Sequence, residues 1–289
     1  MKRILIALSL AAGLVLPALA AAADPAPAAA QSPHTFTGNF GLYSEYRFRA
    51  IAQTFKKPAI QGGFDYSHAS GLYLGNWNSN VNEGAGYPGS NLEMDFYGGW
   101  KPTWGDWGLD IGGIYYSYPG SDAIFSTTPA LNTVITNPKT LATHTGAVNN
   151  KEVYLGGSWK FLSLKYYHST GDYFSQPGTK GSHYLDLAAN FDLGNGWGIN
   201  GHLGSFRLKN WSIGTDATNA NYNDWKLGVT KDISGWVLAA SYLATSGKGS
   251  CDSVNPGYYC LGNRLPVVAG VATRNAAGGT ALLSVSKTF

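Results

Sequence analysis

Apolar and polar residues alternate with a period of two along most of the chain after residue 35. In the first such stretch the two faces differ in polarity: one carries Phe36, Phe40, Leu42, Tyr46 and Phe48, and the other Thr35, Thr37, Asn39, Tyr43, Glu45, Arg47 and Arg49. Successive side chains of a β-strand point to opposite sides, so this spacing predicts a strand with one apolar face. No stretch keeps a long helical period.

About twelve such stretches of roughly ten residues follow one another, joined by alternately short and long connections. Short turns are predicted near 69–70, 103–106, 161, 193–196 and 232–235, and long connections at 50–57, 80–90, 119–149, 171–181, 210–222 and 245–279. Outer-membrane barrels have tight periplasmic turns and longer extracellular loops. The pattern therefore predicts an all-β fold, a transmembrane antiparallel up-and-down β-barrel of about 12 strands over residues 35–289, with both ends in the periplasm.

Aromatic residues cluster beside the predicted short turns. They are Trp100, Trp104, Trp107, Trp159, Phe161, Phe191, Trp197 and Trp236. Trp and Tyr concentrate where lipid headgroups meet hydrocarbon, so we expect a periplasmic girdle. The alternative is that these rings fill the core of a soluble β-fold, which their position at alternate strand ends disfavours.

The first residues have the three parts of a secretory signal peptide. Lys2 and Arg3 precede an apolar run over 4–16, and small residues follow up to Ala23. This run is shorter than the roughly 20 apolar residues that a spanning helix needs. We expect a cleaved signal peptide over 1–23, Sec-dependent export, and a flexible Ala- and Pro-rich periplasmic leader over 24–34.

Charged residues make up only 13% of the chain, against 13% aromatic residues and 38 Gly. Soluble domains carry nearer a quarter charged residues, and a lipid-facing surface explains the deficit. Loss of Lys2 and Arg3 with the signal peptide leaves 18 basic residues of the original 20, against 17 acidic ones, a net charge of +1. A nearly neutral chain lacks the excess of positive charge that is typical of proteins that bind nucleic acid.

Cys251 and Cys260 lie close together in a polar stretch of the last long connection. In an exported protein this pair predicts a loop disulfide. With no histidine beside the two cysteines, a metal site is not expected there, and the six histidines lack metal-ligand spacing. They are expected near strand ends at the membrane interface, and no cofactor is indicated.

The chain ends in an alternating strand whose last residue is Phe289. Such an ending is similar to the recognition signal of bacterial outer-membrane proteins. Lys287 departs from it, because this position is usually apolar, and is expected to snorkel to the interface. The expected partners are outer-membrane lipid and lipopolysaccharide, the barrel assembly machinery, and small solutes.

The most distinctive run of residues is Ser44–Thr54, followed by Pro58–His68. With Gly71–Tyr73, Asn78–Val81 and the Ser-Lys-Thr-Phe ending, it resembles the TorF family of porins, a proteobacterial outer-membrane family formerly of unknown function and also called Gcw_chp. The chain departs from that pattern at Ala50 and Ala52, where Gly and Ser are expected. The resemblance implies a porin, and no catalytic residue comes with it.

Charged residues and one glutamine of the polar strand faces are the candidates for a pore lining. They are Glu45, Arg47, Arg49, Gln61, Asp65, Asp95, Asp110, Lys165 and Asp186. Opposed charges across a narrow aqueous pore set its selectivity. The same charges would equally form a salt-bridge network that fills the barrel. Side chains fill the interior of a barrel of about eight strands, whereas sixteen or more strands leave an open channel, and twelve lies between.

A passive channel for small polar or weakly charged solutes is the leading function. An outer-membrane lipid hydrolase would need a Ser and a His side by side. The nearest pair, His168 and Ser169, is adjacent in sequence and so points to opposite faces of a strand. A structural or adhesive barrel acting through its long loops is the third alternative.

Overall fold

The computed structural model describes residues 32–125, 144–209, 220–251, 257–262 and 273–289. The predicted signal peptide lies outside these residues, as does most of the predicted leader. Twelve long strands form one antiparallel sheet. In chain order they are β1 (His34–Tyr43), β2 (Ala59–His68), β3 (Leu72–Asn80), β4 (Leu92–Trp100), β5 (Trp107–Ser117), β6 (Asn149–Trp159), β7 (Leu162–Ser169), β8 (His183–Gly194), β9 (Trp197–Arg207), β10 (Tyr222–Ile233), β11 (Trp236–Thr245) and β12 (Thr280–Thr288).

The sheet closes on itself where the first strand meets the last. β1 pairs with β12 in antiparallel register, with Leu42 opposite Val285 and Tyr43 opposite Ser284. Every other strand pairs with its neighbours in sequence. Full closure leaves no unpaired sheet edge, which is the condition for a sheet to cross a membrane. The predicted twelve-stranded up-and-down barrel is confirmed.

The alternation in sequence becomes an outer and an inner wall. Phe36, Phe40 and Leu42 of β1 are exposed on the outer wall, as predicted, and Phe36 keeps 75% of its surface. The prediction that Tyr46 and Phe48 continue this face is wrong, because β1 ends at Tyr43 and both side chains are buried beyond it.

The two ends of the barrel differ in the length of their connections. At one end, here the short-turn end, the connections are residues 69–71, 101–106, 160–161, 195–196 and 234–235. At the other, the long-loop end, they are residues 44–58, 81–91, 118–148, 170–182, 208–221 and 246–279. The predicted alternation of short and long connections is confirmed. The described helices are two short 3₁₀ turns, Glu83–Ala85 and Tyr173–Ser175, and none is long enough to span a membrane.

Local sequence sets two of the short turns. Asn195 with Gly196, and Ser234 with Gly235, occupy two-residue hairpins in which both residues have positive φ. Two-residue hairpins of this kind match the twist of antiparallel strands and require left-handed backbone, which Asn and Gly tolerate best. These turns fix the register of β8 with β9 and of β10 with β11.

The aromatic girdle lies at the short-turn end, where the sequence predicts it. All eight of its members are exposed. Lys160, Lys231 and Lys287 place their ammonium groups over the rings of Trp159, Trp197 and Trp236 at 4.7, 5.0 and 5.2 Å. Lys287 thus lies on the outer wall among aromatic rings, an arrangement typical of a side chain that reaches from an apolar wall towards water.

Candidate functional site

The inner wall and the connection at residues 44–58, called here the inward segment, hold the predicted pore residues. Glu45, Arg47 and Arg49 lie in the inward segment, which folds into the barrel, rather than on one of the twelve long strands. The others lie on the inner wall: Gln61 and Asp65 on β2, Asp95 on β4, Asp110 on β5, Lys165 on β7 and Asp186 on β8.

Arg47 holds the inward segment in shape from within. Its Nη1 donates to the carbonyl oxygens of Ala50, Ala276 and Gly278 at 3.1, 2.9 and 2.9 Å. Its Nη2 lies 3.0 Å from Oε2 of Glu45. Both side chains are buried. Their opposite charges cancel, and Arg47 is also bound to backbone carbonyl oxygens. Arg47 therefore joins the first long connection to the last one.

Arg49 ties the inward segment to the barrel wall. Its Nη1 and Nη2 donate to Oε1 and Oε2 of Glu152 on β6 at 3.0 and 2.6 Å. The guanidinium also lies over the rings of Phe48, Tyr167 and Tyr184 at 4.7, 5.0 and 4.5 Å. Bidentate, charge-assisted geometry of this kind is strong and directional. Glu152 is absent from the sequence-based candidates, although its inward position follows from the alternation of β6.

A second contact ties the inward segment to β4. The Tyr46 hydroxyl donates to Oε1 of Glu93 at 3.0 Å, and both side chains are buried. Burial, and then the neighbouring Glu93, raise the pKa of the Tyr46 phenol well above its ordinary value. The hydroxyl therefore stays protonated and remains a donor. Asp95, two residues from Glu93 and on the same inner face, is buried beside this contact.

Aromatic rings fill the long-loop end among the described residues. Phe174 packs against Phe48, Tyr87, Tyr116 and Tyr118 at centroid distances of 5.7 to 6.3 Å. Tyr87 and Tyr118 stack at 3.7 Å. Because this packing includes the inward segment, Glu45, Arg47 and Arg49 lie within a packed cluster.

A row of inner-wall residues, called here the charged belt because four of its six members are charged, runs from β5 near the short-turn end to β10 near the long-loop end. The row consists of Asp110, Gly156, Lys165, Asp186, Gly204 and Asp224, each in register with the next. Lys165 Nζ reaches over Gly156 to Oδ2 of Asp110 at 2.6 Å. Glycine at that position leaves room for the lysine side chain, so the two charges meet across an intervening strand.

His202 on β9 joins the charged belt at its far end. Its Nδ1 lies 2.9 Å from Oδ1 of Asp186, and its Nε2 lies 2.7 Å from Oδ1 of Asp224. Tyr184 reaches over Gly204 and donates to both oxygens of Asp224 at 3.1 and 3.2 Å. The expectation that the histidines lie near strand ends is wrong for His202, which is central in β9 and faces inward. The register of β9 with β8 and with β10 is the signal that would have placed His202 between Asp186 and Asp224.

The exposure of the charged belt shows where water reaches. The side chains of His202 and Asp186 keep 20% and 21% of their surface, whereas Asp224 is fully buried. Lys226 and Asp65 are also partly exposed on the inner wall. Among the described residues, the long-loop end is therefore packed, while water contacts the inner wall at Asp65, Asp186, His202 and Lys226. Asp110 and Lys165 of the charged belt are buried.

The remaining candidates make local contacts. Gln61 Nε2 donates to Ser79 Oγ at 3.3 Å, and Asp65 accepts hydrogen bonds from Tyr97 at 2.6 Å and Asn39 at 3.3 Å. A disulfide joins Cys251 to Cys260, with Cα atoms 5.1 Å apart. Phe289 exchanges backbone hydrogen bonds with Gly38 at 2.8 and 3.2 Å.

The serine and histidine considered for lipid hydrolysis do not assemble into a dyad. Ser169 is buried inside, with its hydroxyl 3.4 Å from Oε1 of Glu152. The side chain of His168 instead contacts the Tyr166 hydroxyl at 3.3 Å. Among the described residues, no group of three or more His, Cys, Asp or Glu side chains is arranged to hold a metal ion.

Comparison with known families identifies the family to which the chain belongs. A family model described as a bacterial protein of unknown function, Gcw_chp, matches residues 27–270. The chain belongs to the Gcw_chp family. This match covers β1 to β11 together with the inward segment and the charged belt. No curated protein sequence matches this Gcw_chp chain.

Three solved outer-membrane and transport proteins are similar to this Gcw_chp chain at low identity. The KdgM porin, solved with disordered oligogalacturonate, is 8% identical, with 88% of this chain and 99% of KdgM covered and a TM-score of 0.47. OmpT of Vibrio cholerae is 10% identical, with coverage of 89% and 97% and a TM-score of 0.42. The Pseudomonas putida toluene transporter TodX is 8% identical, with coverage of 90% and 89% and a TM-score of 0.39.

Proposed function

We propose that this protein is an outer-membrane porin of the TorF type, a passive diffusion channel for small polar or weakly charged solutes. The observation that carries the proposal is the contrast between the two walls. The outer wall exposes Phe, Leu, Ile and Trp, whereas the inner wall carries the charged belt with His202 and Asp186 open to water. A closed barrel that is apolar outside and polar inside is the arrangement of an aqueous channel across lipid.

The inward segment serves as the constriction of this channel. It folds into the lumen from the long-loop end and is tied to the wall through Arg49 and Tyr46. In this proposal solutes move along the charged belt and past the inward segment, and the buried side chains of Glu45, Arg47 and Arg49 hold this constriction in shape. Side chains packed at one level restrict the size of what passes.

The orientation and surroundings follow from the same proposal. The short turns and both chain ends lie in the periplasm, and the long loops lie outside the cell. The chain is exported through the Sec pathway, inserted by the barrel assembly machinery, and surrounded by outer-membrane lipid and lipopolysaccharide. The protein acts by conduction, without catalysis or a cofactor.

Conductance in planar bilayers tests the proposal. The refolded full-length mature chain is compared with a variant in which residues 46–55 are replaced by Gly and Ser. We expect discrete conductance steps from the native chain and larger steps from the variant, because the constriction is removed. Folding of both is checked by heat-modifiable mobility on gels. Absence of conductance from both folded proteins would overturn the channel assignment.

A further inference from the structure

His202 faces a carboxylate oxygen at each of its two ring nitrogens. Nδ1 faces a carboxylate oxygen of Asp186 at 2.9 Å, and Nε2 faces one of Asp224 at 2.7 Å. An ionised carboxylate only accepts hydrogen bonds, and a neutral imidazole has a single N–H. Between two ionised aspartates, both contacts are made as hydrogen bonds only when the ring is an imidazolium cation. This geometry therefore puts a positive charge on the inner wall.

We propose that His202 is a specificity-determining residue of the channel, a fixed cation that offsets the two aspartates at the level where water reaches the wall. This inference rests on the proposed function. His202 and Asp186 are each about one-fifth exposed, so the charge of this group acts on ions in the lumen. A charge on a low-dielectric wall acts more strongly on a passing ion than one in bulk water.

The neighbouring strands define the charge balance around His202. On β10, Lys226 lies directly opposite it in register and Asp224 contacts its ring. On β8, Ala188 lies opposite it, while Asp186 contacts its ring and Tyr184 contacts Asp224.

The next strands out add one charged pair. On β7, Lys165 lies opposite Asp186 but is bound to Asp110. On β11, Leu243 and Thr245 lie opposite Lys226 and Asp224 and carry no charge. The local group of Asp186, Asp224, His202 and Lys226 is therefore neutral while His202 is protonated, and carries one net negative charge when it is not.

Replacing His202 by Gln tests the charge while keeping a polar side chain. Glutamine offers an uncharged NH₂ group and a carbonyl oxygen, so it removes the positive charge and leaves the group of Asp186, Asp224 and Lys226 with one net negative charge. In a bilayer under a salt gradient, we expect the cation-to-anion permeability ratio of His202→Gln to rise about twofold or more over the native channel. The rise is larger at low salt, where screening is weaker.

Two further variants separate charge from structure. His202→Lys restores a positive charge and should return the permeability ratio towards the native value. His68→Gln is the matched control, because His68 is half-buried near the short-turn end and bonds Ser70 instead of a carboxylate. It should leave the ratio unchanged.

A measurement that does not depend on conduction completes the test. Nitrogen-15 NMR of histidine-labelled protein in micelles should show an imidazolium at neutral pH that is lost from the spectrum of His202→Gln. A neutral ring would overturn the inference, as would a conducting His202→Gln channel with the native permeability ratio. An imidazolium in a barrel that never conducts would instead overturn the proposed channel function, and the specificity role with it.

Discussion

Arg49 donates hydrogen bonds from both Nη atoms to the carboxylate of Glu152, and the two residues are 103 positions apart in the chain. The arginine comes from the inward segment and the glutamate from the barrel wall, so this ion pair ties the segment to the wall of the lumen. Both side chains are almost completely buried. Removing one partner from a buried pair is costly because the other charge is left without compensation.

Glu152→Gln should release the inward segment. The substitution keeps the shape of the side chain but leaves the Arg49 charge unpaired, at a cost of about 3–5 kcal/mol for a buried pair. We expect a lower unfolding midpoint in denaturant and larger or noisier conductance steps. Asp106→Asn is the control, because Asp106 and Lys160 form an exposed pair at 3.9 Å that contributes less than about 1 kcal/mol. Equal effects of the two variants would show that the Arg49 pair does not hold the segment.

Gly75→Ala should destabilise the inner wall. A Cβ atom at this position would overlap the Tyr97 ring, whose hydroxyl bonds Asp65 at 2.6 Å. The ring must move, so we expect a loss of about 1–3 kcal/mol, as for overpacking in a core. Gly157→Ala on β6 is the matched control, because nothing lies within 4 Å of its Cβ position. Unfolding followed by tryptophan fluorescence in micelles compares the two, and an unchanged Gly75→Ala would contradict the packing argument.

Removal of Phe289 should prevent assembly. Its backbone exchanges hydrogen bonds with Gly38, so it completes the pairing of β12 with β1 where the barrel closes. Deletion of Phe289, or Phe289→Asp, is expected to abolish the protein in outer-membrane fractions measured by immunoblot, whereas Phe289→Tyr keeps an aromatic ring and should assemble. Native levels of the deletion variant would count against a recognition role for this end.

Loss of the disulfide should have only a local effect. Cys251 and Cys260 are nine residues apart within the last long connection, away from the twelve paired strands. Cys251→Ser is therefore expected to assemble to native levels with unchanged heat-modifiable mobility. Mass spectrometry of the native protein checks the bond itself, and two free thiols there would refute it.

The strands could be predicted from the sequence because each one carries its own period-two signal, and the short turns carry their own turn residues. The same signal misplaces Tyr46 and Phe48. Alternation continues past Tyr43 into a segment that folds inward, and spacing alone does not distinguish the lipid side from the packed lumen. Only contacts with distant residues such as Glu152 and Ala276 settle where this segment lies.

The candidate site could be predicted only in part for a related reason. Asp110, Lys165 and Asp186 stand out as charges on inward faces, and the structure brings them into one belt. His202 gives no such signal, since its partners lie 16 and 22 residues away and meet it only through the register of two hairpins. Only the contacts between neighbouring strands show that His202 belongs to the site, and the alternation along the sequence does not contain them.

The packing of the long-loop end makes the two ends of the lumen different for an entering molecule. Among the described residues, a molecule that enters from the short-turn end meets the partly exposed His202 and Asp186 without first passing the rings around Phe174, whereas one arriving from the other side meets those rings first. Access to His202 is therefore unequal from the two sides of the membrane. A small charged blocker should act from one side only, and current through a single orientation of the barrel should rectify.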